Sequence, residues 1–344
     1  MTIKILAYPK ERNRRQNPYN FLLYRGMSDS CQVMEFDNRR FTVGDANILH
    51  IHWPDLLLRD RRRWRLHWRF GRLLRAIDRL RSRGGKLVWT VHNLKPHGMH
   101  SPQLVEKYLN RFIEKVDGLI FLSAASRNLF LEKYSPGKNI PYSVIPHMHL
   151  KDFYPIADRE KIRRDWDVQE ADFVVGVFGK IRPHKGIEAF TAALNQLPKE
   201  ACRILLAGES GKSGPSRELQ EFIDLNPNIL KLLRHIKDEE ISEIFSVCDV
   251  MMLPYQDILN SGTAFLALSM NRPVIAPEIG SLPELREMVG DQWVYLYRQP
   301  LSAAKLDQAL EWAKARKPNS DSPNLSWIVP AVISESTEAF YRQI

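Results

Sequence analysis

The sequence predicts an α/β protein of two doubly wound domains, each a largely parallel sheet covered by helices on both faces. Short apolar runs of strand-like composition alternate with amphipathic helical segments along nearly the whole chain, which is typical of parallel sheets. The alternation lapses once, in the polar and charged stretch 151–164, and then resumes. With 344 residues, the chain is long enough for two domains with a core each.

Strand–helix alternation in the first half begins at residue 3. Asn17 and Pro18 precede an apolar-periodic segment and indicate the start of the first helix. Gly84 and Gly85 end a long arginine-rich helix before the next strand. The predicted strands cover 3–7, 32–36, 48–53, 86–91, 118–122 and 142–145, and the predicted helices follow residue 19 and cover 59–83, 103–116 and 124–134.

The second half repeats the pattern up to the C-terminus. Pro273 stops an apolar helix that begins near Ser261 and leads into another strand. The predicted strands cover 173–178, 203–207, 229–235, 250–253, 274–276 and 293–297, and the predicted helices cover 187–197, 217–225, 238–248, 261–272, 283–289 and 303–315. We therefore place one domain at 1–155, a second at 156–325, and a terminal helix at 326–344 that packs back on the first domain.

Composition excludes several classes of protein. The chain is 44% hydrophobic and 26% charged, which is typical of globular proteins, and it has no apolar run long enough to span a bilayer. Its first residues, MTIKILAYPKERNRR, lack the apolar core of a signal peptide, so we expect a cytoplasmic protein. Cys31, Cys202 and Cys248 lack the spacing of a disulfide framework or a zinc site, and we expect buried thiols and no metal.

Most of the net charge of +10 lies in the segment 59–83. It contains eleven arginines against Asp60 and Asp78, with apolar residues at helical spacings (Trp64, Trp68, Leu73, Leu74, Ile77 and Leu80). A helix with one aromatic, apolar stripe and a basic face suits an anionic membrane surface. The alternative is a packed helix whose arginines are solvated. No nucleic-acid-binding motif accompanies the segment, so we expect no nucleic-acid partner.

Polar and glycine residues follow the strands of the second domain. The carboxyl ends of parallel strands share one edge of a sheet, so these residues should meet in one crevice. Cationic side chains with a Ser-capped helix start suit a diphosphate, whereas an ordinary capped helix and surface charge are the plainer interpretation. The candidates are Gly179, Arg182, Lys185, Gly208, Ile236, Ser261, Gly262 and Thr263.

Four segments in this order carry a resemblance to a known family: FGKIRPHKG (178–186), ILLAGES (204–210), HIKDEEISEIFSVCDVMMLPY (235–255) and SGTAFLALSMNRPVIAPEIGSLPEL (261–285). They resemble the C-terminal half of GT-B glycosyltransferases of the family 4 type, and WTVHN at 89–93 matches the place of a strand-end histidine in that family. The resemblance implies two Rossmann-like domains that face each other across a cleft. By analogy, Arg182 and Lys185 hold the diphosphate, the main chain near Ile236 the base, and His92 the sugar or acceptor.

The sequence departs from the family at two positions. The family usually carries two glutamates eight positions apart, and these would fall at Ile258 and Leu266. Recognition of the donor sugar and the stereochemical outcome therefore cannot be carried over. Inversion, which we favour over retention, needs a general base, and Asp55 and His92 at strand ends of the first domain are the catalytic candidates.

Plainer roles exist for the strand-end residues of the first domain. Asp55 could cap a helix, and His92 could satisfy a buried backbone group. His50 and His52 share one face of their strand and could bind a metal, although core or acceptor-lining roles are favoured.

The sequence thus predicts a glycosyltransferase that needs no cofactor. The donor is a nucleotide-sugar, with a UDP-sugar favoured and GDP-mannose possible, and the acceptor is lipid-linked or a polysaccharide precursor. The first domain would bind the acceptor and the second the donor, at the inner face of the cell membrane, through residues 59–83. The alternatives are a non-catalytic sugar- or partner-binding protein on the same scaffold, or an epimerase or phosphorylase of the same fold.

Overall fold

The computed structural model describes residues 2–57, 60–94, 101–134, 136, 139–182, 185–211, 214–226, 229–316 and 322–344. The chain divides into two compact units, of which one comprises Met1–Met148 with Ile328–Ile344 and the other His149–Trp327. The sequence places the domain boundary between 155 and 156, whereas this division falls between 148 and 149.

The first unit is a six-stranded parallel sheet with helices. Its strands are β1 (Ile3–Tyr8), β2 (Cys31–Glu35), β3 (Ile48–Ile51), β4 (Lys86–Val91), β5 (Gly118–Phe121) and β6 (Tyr142–Val144), and its helices are α1 (Tyr19–Arg25), α2 (Pro54–Leu57), α3 (Arg63–Arg81), α4 (Pro102–Ile113), α5 (Ala124–Tyr134) and α13 (Pro330–Gln343). The strand order is β2-β1-β3-β4-β5-β6, with every pair parallel. The central strands β3 and β4 are buried, so side chains just beyond them sit at a well-ordered edge.

The C-terminal helix α13 packs into this first unit against α1. The Ser334 hydroxyl donates to the Leu23 carbonyl at 2.8 Å, and the Glu338 carboxylate accepts from the Ser28 hydroxyl at 2.7 Å. Contact is close enough that a Cβ on Gly26 would lie 2.6 Å from the Ser334 hydroxyl oxygen. The packing buries Tyr341, which places its hydroxyl inside the unit.

The second unit repeats the architecture. Its strands are β7 (Val174–Phe178), β8 (Arg203–Ala207), β9 (Leu230–Leu232), β10 (Val250–Met252), β11 (Val274–Pro277) and β12 (Val294–Tyr297), and its helices are α6 (Arg159–Asp165), α7 (Ile187–Leu194), α8 (Arg217–Leu225), α9 (Asp238–Val247), α10 (Gly262–Ser269), α11 (Leu282–Val289) and α12 (Ala303–Lys314). The strand order β12-β11-β10-β7-β8-β9 is again parallel throughout. The predicted α/β class with two parallel sheets is therefore confirmed.

Several elements end earlier than the sequence predicts, and hydrogen bonds explain the end of one strand and one helix among them. The strand expected at 229–235 stops at Leu232 because the Arg234 amide turns back to the Leu232 carbonyl at 2.9 Å. The helix expected at 187–197 ends at Leu194, where tight turns follow and Pro198 prevents continuation.

The single apolar stripe expected along α3 is wrong. Leu73, Ile77 and Leu80 are buried in the core of the first unit, whereas Trp64 is 64% and Trp68 54% exposed. Trp68 and Ile77 are nine residues apart, about two and a half helical turns, so they lie on opposite faces. The helix therefore has an apolar buried face and a separate face that combines tryptophan with arginine. Arg59, the first arginine of the predicted segment, lies outside the described residues.

None of the helices in the described part of the chain combines the length and the apolar character that crossing a bilayer requires.

Candidate functional site

Two glycines bring the ends of β7 and β8 together in the second unit. Gly179 has φ +114° and Gly208 has φ +145°, a backbone region in which other residues are strained. A Cβ on Gly208 would lie 2.0 Å from the Gly179 carbonyl oxygen. Only glycine fits at position 208, and the backbones that follow the two strands therefore pack directly against each other.

The basic loop after Gly179 reaches the start of α10 through Tyr255. The Lys185 ammonium lies 3.3 Å from the Tyr255 hydroxyl and 4.4 Å from the centre of its ring. The same hydroxyl lies 2.9 Å from the Ser261 hydroxyl. Gly186 permits this approach, because a Cβ there would lie 1.9 Å from the Pro254 carbonyl oxygen. The structure thus brings Lys185 and Ser261 to one tyrosine.

Ser261 caps α10 by accepting a hydrogen bond from the Ala264 amide at 3.2 Å. The remaining amide groups of the first turn, with the helix dipole, favour a negative group at this end. Burial raises the pKa of the Tyr255 hydroxyl, but the Lys185 charge and hydrogen bonds with Ser261, Thr263 and Lys185 outweigh burial and lower that pKa below its ordinary value. The site therefore stabilises negative charge.

The other predicted donor-site residues lie at the same edge of the sheet. Arg182 is exposed, and within the described residues its side chain makes no hydrogen bond or ion pair. Ile236 is buried in the turn between β9 and α9, and Gly262 and Thr263 form the first turn of α10. Leu266, where the family has its second glutamate, is buried within the same helix.

The strand-end histidines of the first unit form one buried network with tyrosines. His52 Nδ1 lies 3.1 Å from His92 Nε2, and His52 Nε2 lies 2.6 Å from the Tyr24 hydroxyl. His50 continues the network, with its Nδ1 2.6 Å from the Tyr341 hydroxyl and 3.0 Å from that of Tyr24. A chain of hydrogen bonds therefore runs from His92 at the sheet edge into the core.

Burial keeps these imidazoles neutral. It lowers the pKa of His50 to about 3 and that of His147 to about 4, and it lowers the pKa values of His52 and His92 well below the ordinary value. Both nitrogens of His50 are engaged by hydroxyls, including that of Thr90 at 2.7 Å from Nε2. No group of three or more His, Cys, Asp or Glu among the described residues is arranged to hold a metal.

The two predicted catalytic residues follow neighbouring strands of this unit. His92 comes directly after β4, and the Trp53 ring stacks on its imidazole at 4.2 Å. Asp55 is the second residue of the short helix α2, directly after β3, and is half-buried. Their strands are adjacent in the sheet, so both residues lie at its carboxyl edge.

Comparison with known proteins bears on this arrangement. Residues 172–312 match the sequence model of the family described as glycosyl transferases group 1. The matched range lies within the second unit, so this unit carries the sequence pattern of group 1 glycosyl transferases. The predicted resemblance is thereby confirmed.

Similar proteins cover most of the length of this chain. It is 27% identical over 327 residues to GDP-mannose:glycolipid 4-beta-D-mannosyltransferase of Xanthomonas campestris pv. campestris, which covers 94% of this chain and 87% of the relative. Among solved structures, sucrose-phosphate synthase from Thermosynechococcus elongatus superposes with a TM-score of 0.66 at 16% identity, covering 100% and 94% of the two chains. Anabaena HepE in complex with UDP and glucose gives a TM-score of 0.64 at 15% identity, covering 100% and 95%. These structures share the GT-B fold.

Sequence reasoning missed the tyrosines of both candidate sites. Tyr255 follows the strand-end proline in the quoted motif, but nothing in the sequence indicates that its hydroxyl joins Lys185 to Ser261. Tyr24 and Tyr341 are far apart in sequence and meet only because α13 packs on α1.

Proposed function

We propose that this protein is a glycosyltransferase, which transfers mannose from GDP-mannose to a glycolipid acceptor at the cytoplasmic face of a membrane. The main support for the donor site is that Tyr255 contacts both Lys185 and Ser261, the residue that caps α10. A cation together with neutral amide and hydroxyl donors suits a nucleoside diphosphate. The Xanthomonas relative, named for GDP-mannose and a glycolipid, supports this donor and this acceptor.

A UDP-sugar, which the sequence alone favours, is the second candidate donor. HepE, solved with UDP-glucose, supports it through shared fold. The two donors differ in their base, which the turn around Ile236 would contact, and a binding measurement separates them.

In the proposed reaction, an acceptor hydroxyl attacks the anomeric carbon and the nucleoside diphosphate leaves. Arg182, Lys185 and the start of α10 would stabilise the charge that develops on the departing diphosphate, without a metal ion. Transfer from the α-linked donor GDP-mannose to a β-mannoside would invert the anomeric centre. We assign Asp55 as the base that takes the proton of the hydroxyl, and His92 as a hydrogen-bonding partner of the acceptor or sugar.

Membrane association is proposed from the exposed face of α3. Arg72 lies over Trp68, with the guanidinium carbon 4.7 Å from the ring centre, and Arg65 lies 5.2 Å from that of Trp64. Tryptophan rings with adjacent guanidinium groups suit the boundary between acyl chains and anionic headgroups.

Nucleotide binding tests the donor site. Ligands that bind the native state raise the melting temperature, so a panel of GDP, GDP-mannose, UDP, UDP-glucose and ADP should give the largest rise with GDP and GDP-mannose. Because charge-assisted hydrogen bonds to the diphosphate are lost, Arg182→Ala and Lys185→Met should each weaken GDP binding about 10- to 100-fold in calorimetry. Arg286→Ala, at an exposed arginine on α11, is the matched control.

Unchanged GDP affinity in both Arg182→Ala and Lys185→Met would remove the donor-site assignment. A larger rise with UDP and UDP-glucose than with GDP and GDP-mannose would replace GDP-mannose by a UDP-sugar and leave the site in place. Binding of every nucleotide without any transfer to glycolipid would favour the non-catalytic alternative.

A further inference from the structure

A cavity of about 1250 Å³ opens at the amino edge of the sheet in the second unit. Residues just before five strands line it: Phe173, Cys202, Asp249, Pro273 and Trp293. Because the strands are parallel, this edge is at the other end of the sheet from the loops that follow them. The cavity, called here the Arg272 cavity after a residue in its wall, is therefore separate from the proposed donor site.

Arg272 is buried in the wall of this cavity, and none of the described residues forms an ion pair with it. The residue is only 6% exposed, and its Nε is fully buried without a hydrogen-bond partner. Within the described ranges, its guanidinium makes no hydrogen bond and no ion pair. Burial lowers the pKa of Arg272 to about 10, with the charge of Arg159 contributing, and the group stays cationic at neutral pH.

Two other arginines of this unit, one of them buried and the other partly buried, have both an ion pair and hydrogen bonds within the described residues, unlike Arg272. Arg159 and Arg163 both pair with the Asp249 carboxylate. Both also donate to carbonyls at the end of α9, including a 2.9 Å bond from Arg163 to Val247. Arg159 and Arg163 thus share one carboxylate, with which Arg272 makes no ion pair, so the three arginines and Asp249 together carry an excess of two positive charges. An unpaired buried charge is costly unless a counter-ion or water compensates it.

We propose that the Arg272 cavity binds a phosphate group, carried by a small organic phosphate or as the free ion. An excess of two positive charges matches a dianion, and the guanidinium presents the paired N–H donors that phosphate oxygens accept. Phe173 in the lining, which is partly exposed, offers apolar surface for an organic body.

The acidic residues of the lining form no ion pair with Arg272 in the described part of the chain. The acidic residue Asp172 pairs with Arg203 at 2.7 Å. Other charged residues of the lining include the exposed Asp167, Glu170 and Glu200 and the cations Lys199, Lys314 and Arg316. The cations allow further contacts to a phosphate, while the exposed acids are solvated.

Phosphate binding by the full chain tests this site, with inorganic phosphate and phenyl phosphate as probes and chloride at equal ionic strength as reference. Both probes should raise the melting temperature of the wild type. Arg272→Met, which removes the charge at similar volume, should weaken the calorimetric Kd for phosphate at least 10-fold. Arg286→Met, at an exposed arginine, should leave it within twofold. Tighter binding of phenyl phosphate indicates an organic phosphate, and equal binding indicates the free ion.

A variant of the donor loop separates this site from the proposed function. Phosphate binding should survive Arg182→Ala, whatever that substitution does to GDP affinity. Without phosphate, Arg272→Met should be at least as stable as the wild type, since an unpaired buried charge is removed. Arg272→Lys keeps the positive charge but lacks the paired N–H donors of the guanidinium, so it should bind phosphate with intermediate affinity. This variant provides the measurement if Arg272→Met does not fold.

Two results would overturn the inference. Loss of phosphate binding in Arg182→Ala with retention in Arg272→Met would place phosphate at the donor loops. An equal rise in melting temperature with chloride and phosphate would show an ionic-strength effect alone, with the cavity holding water.

Discussion

At the scale of single residues, environment separates the roles of Asp55 and His92. His92 is a buried, neutral imidazole held by His52 and stacked on Trp53. Burial lowers its pKa well below the ordinary value, so it can exchange hydrogen bonds at neutral pH but accepts a proton weakly. Asp55 is half-buried in the short helix α2, which follows the neighbouring strand β3. We therefore infer that the base is Asp55.

Replacing Asp55 by Asn should lower kcat about 10²- to 10⁴-fold and leave KM for GDP-mannose nearly unchanged, because the amide cannot take the acceptor proton. His92→Gln should instead raise KM with a smaller effect on kcat. Steady-state release of GDP with a glycolipid acceptor measures both. Asp78→Asn, at a 54% exposed carboxylate on α3, is the control. A normal kcat in Asp55→Asn would limit Asp55 to a structural role in α2.

Single residues also show how far sequence can predict a site. Gly179 and Gly208 were predictable, because glycine directly after an apolar strand signals a special backbone conformation and an open edge. The tyrosine hydroxyls were not, because tyrosine has no local backbone signal. Tyr341 joins His50 only through the packing of α13, which sequence spacing does not encode.

At the scale of elements, the strands and helices were mostly predictable from apolar periodicity, whereas the faces of α3 were not. The helical spacing of the apolar residues predicts that Trp64 and Trp68 lie in one stripe with Leu73 and Ile77. The structure separates them, because the leucine and isoleucine contribute to the core and the tryptophans to the surface. Only one face of α3 packs against the core of this unit. The packed structure is needed to show which apolar residues of α3 lie on the exposed face.

The exposed face of α3 should bind anionic membranes. The double variant Trp64→Ala/Trp68→Ala should bind vesicles that contain about 30 mol% anionic lipid about 10-fold more weakly or worse. The reason is that burying an aromatic ring in the membrane contributes about 1.5–3 kcal/mol. The melting temperature should hardly change, because both rings are exposed. Vesicle sedimentation at low and high salt measures this, and Leu225→Ala, at a 70% exposed leucine of the second unit, is the control. Equal binding to neutral and anionic vesicles would contradict the proposed electrostatic contribution of the arginines to membrane binding.

At the scale of the whole molecule, the two units bury titratable groups of opposite kinds. The first unit holds His50, His52, His92 and His147 neutral in its core, whereas the second holds ionised arginines. The folded-state pKa of each of these histidines lies below its unfolded value of about 6.5. Their neutral forms therefore favour the folded state above pH 6.5, and stability is lost as pH falls below 6.5 toward the folded pKa values, because the unfolded chain binds more protons.

Acidification should accordingly destabilise the first unit before the second. Below pH 6.5, each buried histidine lowers the free energy of unfolding by up to about 1.4 kcal/mol per pH unit. Four such histidines lie in the first unit. Among the described residues of the second unit, His149 is the histidine with a lowered pKa. Amide hydrogen exchange, corrected for intrinsic rates, should show protection in β3 and β4 falling between pH 6.5 and 5.5, while β7 and β10 change several-fold less. His147→Gln should reduce the loss by one histidine's share, and His235→Gln, at an exposed site, should not. Parallel loss in both units would contradict this account, since it would place the acid-sensitive groups outside the histidine network.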